Sequence, residues 1–452
     1  MFQIVAVVLF ATTIALLAGT VYFKLRSGSA KSIFYSFLDS VMFIPYTLRI
    51  GPFAAHDNGI ERTCIDAMKR TGLNDFDDSG KFSFMKPYAM SHDFGYVRSK
   101  CFYSPMGFLV QKLSQQKRME IRLLMVDYFK RHPSVETTTF SRPPTLITGF
   151  TRTGTTYLHE LLSIHPETRA HNTWEQMNPV PTTDDESPLA QQQNRIERHK
   201  KGLRLFKFVD RVAGEISQAV HKVEYDKCEE CTLPCSLELP WNITNLSFMM
   251  FAAEELFSLG AGRSFDLYLK FLKLQTWSAP DLPSHWVVKC PFYLPFLDDL
   301  NETFSDSTIV WTHRNPVECI ASTCLLFECI THSTCSSWIV DKKWLGQHVL
   351  KYTRLSFDRA FSVLKRRKGD IRIIHVKYRD TTKATLETCE RVCKLIGLPF
   401  SDEYVSILKE HIAKSREKRK IQVEKYKYTL DEYGMTKAGL EAEFKEYIET
   451  YC

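Results

Sequence analysis

Several common features are missing from this sequence of 452 residues. It has no internal repeat, no low-complexity tract and no recognised nucleic-acid-binding motif, so repeat architectures are excluded and no nucleic-acid partner is expected. Neither sign of charge dominates, because the net charge of +7 is a mild excess that suits an anionic ligand or surface. With 44% hydrophobic and 25% charged residues, the composition is that of a globular chain. The length allows one large α/β domain with extensions, or two domains.

Charge is also absent from the amino-terminal segment. Residues 2–23 carry no charged side chain and are almost wholly apolar, and a helix needs about 20 such residues to cross a bilayer. No positively charged segment precedes this run, and no small-x-small cleavage site closes it. We therefore expect an uncleaved transmembrane helix, a signal-anchor at residues 1–24, rather than a signal peptide.

The side of the membrane on which the body lies is left open. Three basic residues follow the run and favour a cytosolic body by the positive-inside rule: Lys24, Arg26 and Lys31. The 13 cysteines and three N-x-[ST] patterns favour a lumenal glycoprotein instead, the patterns beginning at Asn242, Asn245 and Asn301. We expect a single-pass protein of the endomembrane system, in the Golgi or the endoplasmic reticulum.

After residue 140, short β-rich runs alternate with helical patterns. The strand-like runs are Thr145–Gly149, Trp286–Val288, Thr308–Thr312 and Ile371–Val376, with a further short strand before Trp174. Helical patterns include Gly107–His132 and Ala252–Trp277, the second interrupted near Gly260 and Gly262. Such alternation predicts an α/β fold with a parallel sheet covered by helices on both faces. Residues 25–140 form a mostly helical extension in this interpretation, and residues 141–452 form the main domain.

The most informative stretch joins the first of these strands to a helix. The loop from Gly149 to Thr156 nearly matches the phosphate-binding pattern G-x-x-x-x-G-K-[ST], in which loop amides and a helix N-terminus bind an anion. Thr155 stands where that pattern has the lysine that reaches the β- and γ-phosphates. The loop is therefore poorly suited to a triphosphate, whereas Arg152 restores one positive charge for a smaller 5′ anion.

Three more side chains are expected near this loop, because ligands of open parallel sheets bind at the carboxyl ends of strands. Arg314 directly follows a predicted strand, and Ser322 lies about two helical turns further on. A guanidinium fork and a hydroxyl together suit a phosphate monoester. Lys289 ends another predicted strand at the same edge. The alternatives are a surface arginine, an ordinary helix serine and a strand-end lysine that reaches solvent.

A lone carboxylate, Glu175, follows the short strand predicted before Trp174. At the edge of the sheet that binds the ligand, it could act as a general base. The alternative interpretation is a glutamate at a helix N-terminus or in a salt bridge.

Three cysteines form a cluster at Cys228, Cys231 and Cys235. They are close enough for one corner of a metal site, but no second pair of ligands has suitable spacing. No metal site is therefore expected, and a lumenal disulfide or a reduced cluster remains.

Together these motifs resemble those of 3′-phosphoadenosine-5′-phosphosulfate (PAPS)-dependent sulfotransferases, in the branch whose loop reads G-x-P-R-[ST]-G-T-T-x-L-H. The likeness runs from about Pro144 to the carboxyl terminus and also includes the segments Trp174–Pro181, Lys289–Pro291 and Thr312–Pro316. Thr151 departs from the pattern by replacing the loop proline, and no histidine follows Lys289 as in cytosolic members. The resemblance implies a P-loop-like parallel α/β sheet, and a sulfotransferase domain over residues 141–452.

The resemblance also implies the roles of the site residues. PAPS is the co-substrate, no metal takes part, and the acceptor is a hydroxyl or amine of a glycan, small alcohol, lipid or protein. The implied catalytic residues are Glu175 as the base, with Lys289 and Arg152 stabilising the departing phosphate. The implied cofactor-binding residues are Arg152, Thr153, Gly154, Thr155 and Thr156 at the 5′-phosphosulfate, Arg314 and Ser322 at the 3′-phosphate, and Tyr378.

Two other functions remain open at this point. A P-loop kinase or nucleotide hydrolase would use the same strand, loop and helix, although the missing loop lysine argues against it. A membrane-anchored nucleotide-binding protein without activity would bind the cofactor and transfer nothing.

Overall fold

The computed structural model describes residues 2–27, 33–48, 59–77, 104–212, 223–238, 253–334, 341–367, 369–422 and 429–452. The described part of the chain is an α/β structure in which one parallel sheet is flanked by helices. Its strands are β1 (Thr145–Gly149), β2 (Thr168–Arg169), β3 (His285–Lys289), β4 (Thr308–His313) and β5 (Ile373–Lys377).

The helices surround the sheet in chain order. Those before β1 are α1 (Phe2–Ser27), α2 (Ile33–Thr47), α3 (Gly59–Thr71) and α4 (Pro105–Arg131). Those between β1 and β4 are α5 (Thr155–Ser163), α6 (Thr173–Met177), α7 (Pro188–Val212), α8 (Thr232–Cys235), α9 (Ala253–Leu259), α10 (Gly262–Trp277) and α11 (Leu297–Thr303). Those after β4 are α12 (Pro316–Thr334), α13 (Lys342–Arg366), α14 (Tyr378–Lys383), α15 (Thr385–Leu395), α16 (Asp402–Gln422), α17 (Lys437–Glu443) and α18 (Lys445–Tyr451).

The strands lie in the order β2-β3-β1-β4-β5, and every neighbouring pair is parallel. Strand β1 is central: β3 and β2 lie on one side of it, and β4 and β5 lie on the other. Its first residue, Thr145, pairs with Val287 on one side and with Thr308 on the other. Open parallel sheets bind ligands in the crevice outside the carboxyl end of such a central strand.

Both faces of the sheet are buried, because successive side chains of a strand point to opposite faces. Leu146, Val288 and Trp311 belong to one apolar cluster, packed with α10, α13 and the carboxyl-terminal helices. Their neighbours Ile147 and Val310 belong to a second cluster, formed with α5, α15 and α16. All five residues of β1 are buried, as is expected of a central strand in a doubly covered sheet.

The predicted α/β class, the parallel sheet and most element positions are confirmed. The predicted strands agree with β1, β3, β4 and β5 to within two residues at every end, and β2 is the short strand expected before Trp174. The predicted helix from residue 107 to residue 132 is α4, and the interruption near Gly260 separates α9 from α10. Gly260 has φ of +72°, which is the left-handed conformation common just after a helix.

The predicted membrane anchor at residues 1–24 is wrong. Across the described ranges, no helix combines the length and the apolarity needed to cross a bilayer. The segment instead forms α1, which packs along α2, where the Ser40 hydroxyl donates to the Leu16 carbonyl at 3.0 Å and Phe23 is buried. The predicted membrane partner and the location in the Golgi or the endoplasmic reticulum depended on this anchor, and they are withdrawn with it.

The glycoprotein prediction has no support from the structure. Asn242 and Asn245 lie outside the described residues, and Asn301 is half-buried in α11.

Candidate active site

The carboxyl ends of four strands bring the predicted site together at one edge of the sheet. The register pairs Gly149 with Thr312, so the loop after β1 starts beside the segment that carries Arg314. Lys289 ends β3 on the other side of β1, and Tyr378 directly follows β5. Because all these strands are parallel, their carboxyl ends meet at the same edge, as the sequence predicted.

A buried side chain of the loop between β1 and α5 holds the loop in place. Gly154 is the N-cap of α5 and has φ of +88°, a conformation that glycine adopts without a Cβ clash. The buried Thr153 hydroxyl donates to the Phe150 carbonyl at 2.6 Å and contacts the Thr312 hydroxyl at 2.7 Å. Thr153 therefore holds the loop against β4, and the amides that begin α5 form an anion-binding N-terminus.

Two arginines connect the loop with α12. Arg152 has a left-handed backbone, with φ of +70°, and its Nε donates to the Ser322 hydroxyl at 3.0 Å. Arg314 donates from Nη1 to the Arg152 carbonyl at 3.1 Å and from Nε to Glu318 at 2.9 Å. The residues predicted for the two phosphates of one nucleotide are therefore in direct contact, because Arg152 contacts both Ser322 and Arg314.

Tyr378 covers the loop from the side of β5. The guanidinium carbon of Arg314 lies 4.3 Å from the centre of the Tyr378 ring, which is a cation–π contact. A Cβ placed on Gly154 would lie 2.6 Å from Cδ2 of the same ring. The ring can approach the loop this closely only because residue 154 has no side chain.

Lys289 is buried and connects the loop to a carboxylate. Its Nζ donates to Glu230 Oε1 at 2.6 Å and to the Thr156 hydroxyl at 3.2 Å. Burial opposes the charged form of the lysine, but the carboxylates of Glu230 and Glu229 outweigh it and raise the pKa of Lys289. The ammonium group is therefore kept charged beside the N-terminus of α5.

A cavity of about 380 Å³ opens over these residues, which lies within the range of about 300–1,000 Å³ typical of small-molecule sites. Its lining includes six of the predicted site residues: Arg152, Gly154, Thr155, Thr156, Arg314 and Tyr378. Ser322 and Lys289 are not part of the lining, but each contacts a residue that is. Ser322 contacts Arg152, and Lys289 contacts Glu230. Thr153 and Glu175 do not line it.

Glu175 lies in the interior, 3% exposed, at the start of α6. Oε1 accepts from Arg169 Nη2 at 2.7 Å, and Oε2 accepts from the backbone N–H of Asn172 at 2.9 Å. The Asn172 side chain in turn accepts from the backbone of Glu175, which completes a capping box. Both alternatives for this residue, a helix N-terminal glutamate and a salt-bridge partner, therefore describe its contacts.

Glu230 is a charged cavity residue that the sequence did not reveal. It lies between Cys228 and Cys231, in a segment with no strand or helix pattern. The segment reaches the edge of the sheet because the Glu229 N–H donates to the His171 carbonyl at 3.1 Å and the Cys231 N–H donates to the Lys289 carbonyl at 3.1 Å. These backbone contacts join residues far apart in the chain, so no local spacing could have shown them.

The cysteine cluster belongs to this segment and to the helix α8 that follows it. Cys231 and Cys235 are buried, Cys228 is half-buried, and all three are free thiols. Among the described residues, no group of three His, Cys, Asp or Glu side chains is arranged to hold a metal ion.

The fold and the site define a parallel α/β protein with an anion-binding strand, loop and helix at the edge of its sheet. Residues 143–402 match the model of the sulfotransferase family, which is more than half of the chain. The chain belongs to that family. It is therefore a transferase that moves a sulfuryl group, and the kinase and hydrolase alternatives find no support. No curated protein matches the chain in sequence.

Two crystal structures are similar to the whole fold. Sulfotransferase STF1 from Mycobacterium tuberculosis H37Rv has a TM-score of 0.68 at 20% identity, over 85% of this chain and 98% of its own. Sulfotransferase STF9 from Mycobacterium avium has a TM-score of 0.69 at 21% identity, over 88% of this chain and 97% of its own. At this level of identity the likeness establishes the fold.

Proposed function

We propose that the enzyme transfers the sulfuryl group of PAPS to a hydroxyl or amine acceptor, with the cavity described above as the donor site. The observation that carries the proposal is the contact between Arg314 and the Arg152 carbonyl at 3.1 Å. It places the guanidinium of Arg314 against the backbone of Arg152 at the edge of one sheet, and both arginines line the same cavity. A nucleotide with anionic groups at its 3′ and 5′ positions is the ligand that needs both.

The 5′-phosphosulfate is assigned to the loop and the start of α5. The amides of Thr155 and Thr156 begin the helix, so their N–H groups have no partner within its first turn. Lys289 contacts the Thr156 hydroxyl and would stabilise negative charge on the phosphate oxygen that departs. Removing one such contact costs roughly 3 kcal/mol of activation free energy, or ~10²-fold in rate.

The 3′-phosphate is assigned to Arg314 and Ser322. The guanidinium fork offers parallel N–H donors that match a phosphate, and the Ser322 hydroxyl adds one more donor. Arg152 contacts both residues, so it would bridge the two ends of the nucleotide. The Tyr378 ring packs against the guanidinium of Arg314 and would place an aromatic face beside the nucleoside.

Transfer would occur in line, with the acceptor attacking sulfur from the side opposite the bridging phosphate oxygen. The chain's own contribution is to hold the donor by both ends, to stabilise the leaving phosphate and to accept the acceptor's proton. The class of acceptor, whether glycan, small alcohol, lipid or protein, stays open within this proposal.

Calorimetric titration tests the donor site without an acceptor. We expect adenosine 3′,5′-bisphosphate to bind at least ten-fold more tightly than adenosine 5′-monophosphate, because only the bisphosphate uses Arg314 and Ser322. Arg314→Ala should remove this preference and leave the monophosphate affinity within about three-fold. Tighter binding of ATP with Mg²⁺ than of the bisphosphate would contradict the proposal.

A further inference from the structure

Two carboxylates line the cavity in the described part of the chain, Glu160 and Glu230. They differ in their partners. Glu230 contacts the buried ammonium group of Lys289 at 2.6 Å, whereas Glu160 lies 3.4 Å from His411 on α16. Because Lys289 also contacts Thr156, Glu230 is one side chain away from the phosphate-binding end of α5.

The backbone holds Glu230 in place on both sides. Glu229 bonds to the segment that follows β2, and Cys231 bonds to the last residue of β3, so residue 230 lies across the gap between the two strand ends. The Glu230 side chain is 18% exposed, which leaves one face open to the cavity. A catalytic carboxylate needs this combination of a fixed backbone and an open face.

Glu175 has neither an open face nor a free oxygen. Its side chain is 4% exposed, and each carboxylate oxygen already accepts a hydrogen bond, one of them from the guanidinium of Arg169. To take a proton from an acceptor, Glu175 would have to leave a buried ion pair and the start of α6.

We propose that Glu230 is the general base of the sulfuryl transfer, an assignment that rests on the proposed function. The acceptor oxygen attacks sulfur, and its proton passes to a carboxylate oxygen of Glu230 as the new S–O bond forms. The bond between sulfur and the bridging 5′-phosphate oxygen breaks, and its electron pair stays on the phosphate, beside Lys289. The proton then leaves Glu230 for solvent through the open cavity.

The contact between Glu230 and Lys289 links the two halves of this reaction. Without a donor, the lysine neutralises the carboxylate. When the anionic 5′ group binds, the ammonium can turn toward it, and Glu230 is left with an unpaired carboxylate facing the acceptor. Donor binding therefore releases the carboxylate from its ion pair when the acceptor's proton has to be taken.

The test compares variants with the wild type in single-turnover assays with ³⁵S-labelled PAPS. Phenol and 1-butanol are the acceptor probes, with water present. Glu230→Gln keeps a carbonyl acceptor for Lys289 but cannot take a proton, so its rate should fall ~10²- to 10⁴-fold. The wild-type rate should fall toward acid pH, and this dependence should disappear in the variant. Glu441→Gln removes the same charge from an exposed side chain on α17, away from the cavity lining, and should stay within about three-fold of wild type.

Binding of adenosine 3′,5′-bisphosphate, measured by calorimetry on each variant, separates the two proposals. If the wild type fails to bind the bisphosphate, the proposed function fails. If it binds and Glu230→Gln keeps its rate, or loses rate while keeping the wild-type pH profile, the base assignment is overturned. If the wild type binds the bisphosphate but transfers the sulfuryl group to none of the probes, the base assignment is also overturned. A rate loss in Glu175→Gln equal to that in Glu230→Gln, in a fully folded variant, would move the role to Glu175.

Discussion

At the scale of single residues, this site depends on side chains that have two partners. Arg152 connects the loop to Ser322 and also offers its carbonyl to Arg314. Lys289 connects Thr156 to Glu230. The sequence identified most of these residues, because loop glycines and strand ends have recognisable positions. It could not identify Glu230, whose place depends on backbone contacts between distant segments.

Glu175→Gln should lower the free energy of unfolding by about 3 kcal/mol, because it leaves the buried charge of Arg169 without its carboxylate partner. Both side chains are at most 5% exposed. Urea denaturation of the wild type and the variant measures the change. Glu441→Gln is the matched control: it breaks an exposed pair with Lys437 and should cost no more than about 0.5 kcal/mol. Equal effects of the two substitutions would show that the buried pair adds nothing to stability.

At the scale of elements, the strand–loop–helix unit was predictable and the amino-terminal helix was not. The strands are short β-branched or aromatic runs bounded by turns, and buried parallel strands have this composition. Residues 2–23 satisfied an apolar count for a membrane span, yet no described helix is long and apolar enough for one, and the segment forms α1, which contacts α2. An apolar count describes composition and does not show which side chains contact protein: Phe23 is buried, whereas Leu17 and Leu25 are exposed.

Gly154→Ala should destabilise the protein more than Gly72→Ala does, as measured by urea denaturation. Both glycines have left-handed backbones, with φ of +88° and +74°, so each substitution costs about 1–2 kcal/mol of strain. A Cβ at residue 154 also meets the Tyr378 ring, whereas a Cβ at residue 72 has no heavy atom within 4 Å.

The extra cost at residue 154 should come from Tyr378. In a Tyr378→Ala background, Gly154→Ala should therefore cost about as much as Gly72→Ala does. If the extra cost persists without the Tyr378 ring, the close approach between β5 and the loop is not its cause.

At the scale of the whole molecule, two covered sheet faces bury several histidines in neutral form. Burial and Lys289 lower the pKa of His159 to about 4, and burial and Arg142 lower that of His285 to about 4. Burial and His375 lower the pKa of His313 to about 3. Each histidine accepts a proton in the unfolded chain near pH 6.5 and does so in the folded chain only at much lower pH.

The free energy of unfolding should therefore fall as the pH drops from about 6.5 toward 4, by up to about 1.4 kcal/mol per histidine and pH unit. Urea denaturation at pH 7 and pH 5 measures this loss. His285→Gln retains a partner for the Thr145 hydroxyl and should make the loss about 2 kcal/mol smaller. A loss that is the same in the variant and the wild type would contradict a buried neutral His285.

The central claim is that one cavity binds both ends of a doubly phosphorylated adenosine. A crystal structure with adenosine 3′,5′-bisphosphate tests it most directly. We predict the 5′-phosphate within hydrogen-bond distance of the amides of Thr155 and Thr156 and of Lys289, and the 3′-phosphate within hydrogen-bond distance of Arg314 and Ser322. A bisphosphate bound in the opposite direction, or bound outside this cavity, would contradict the account.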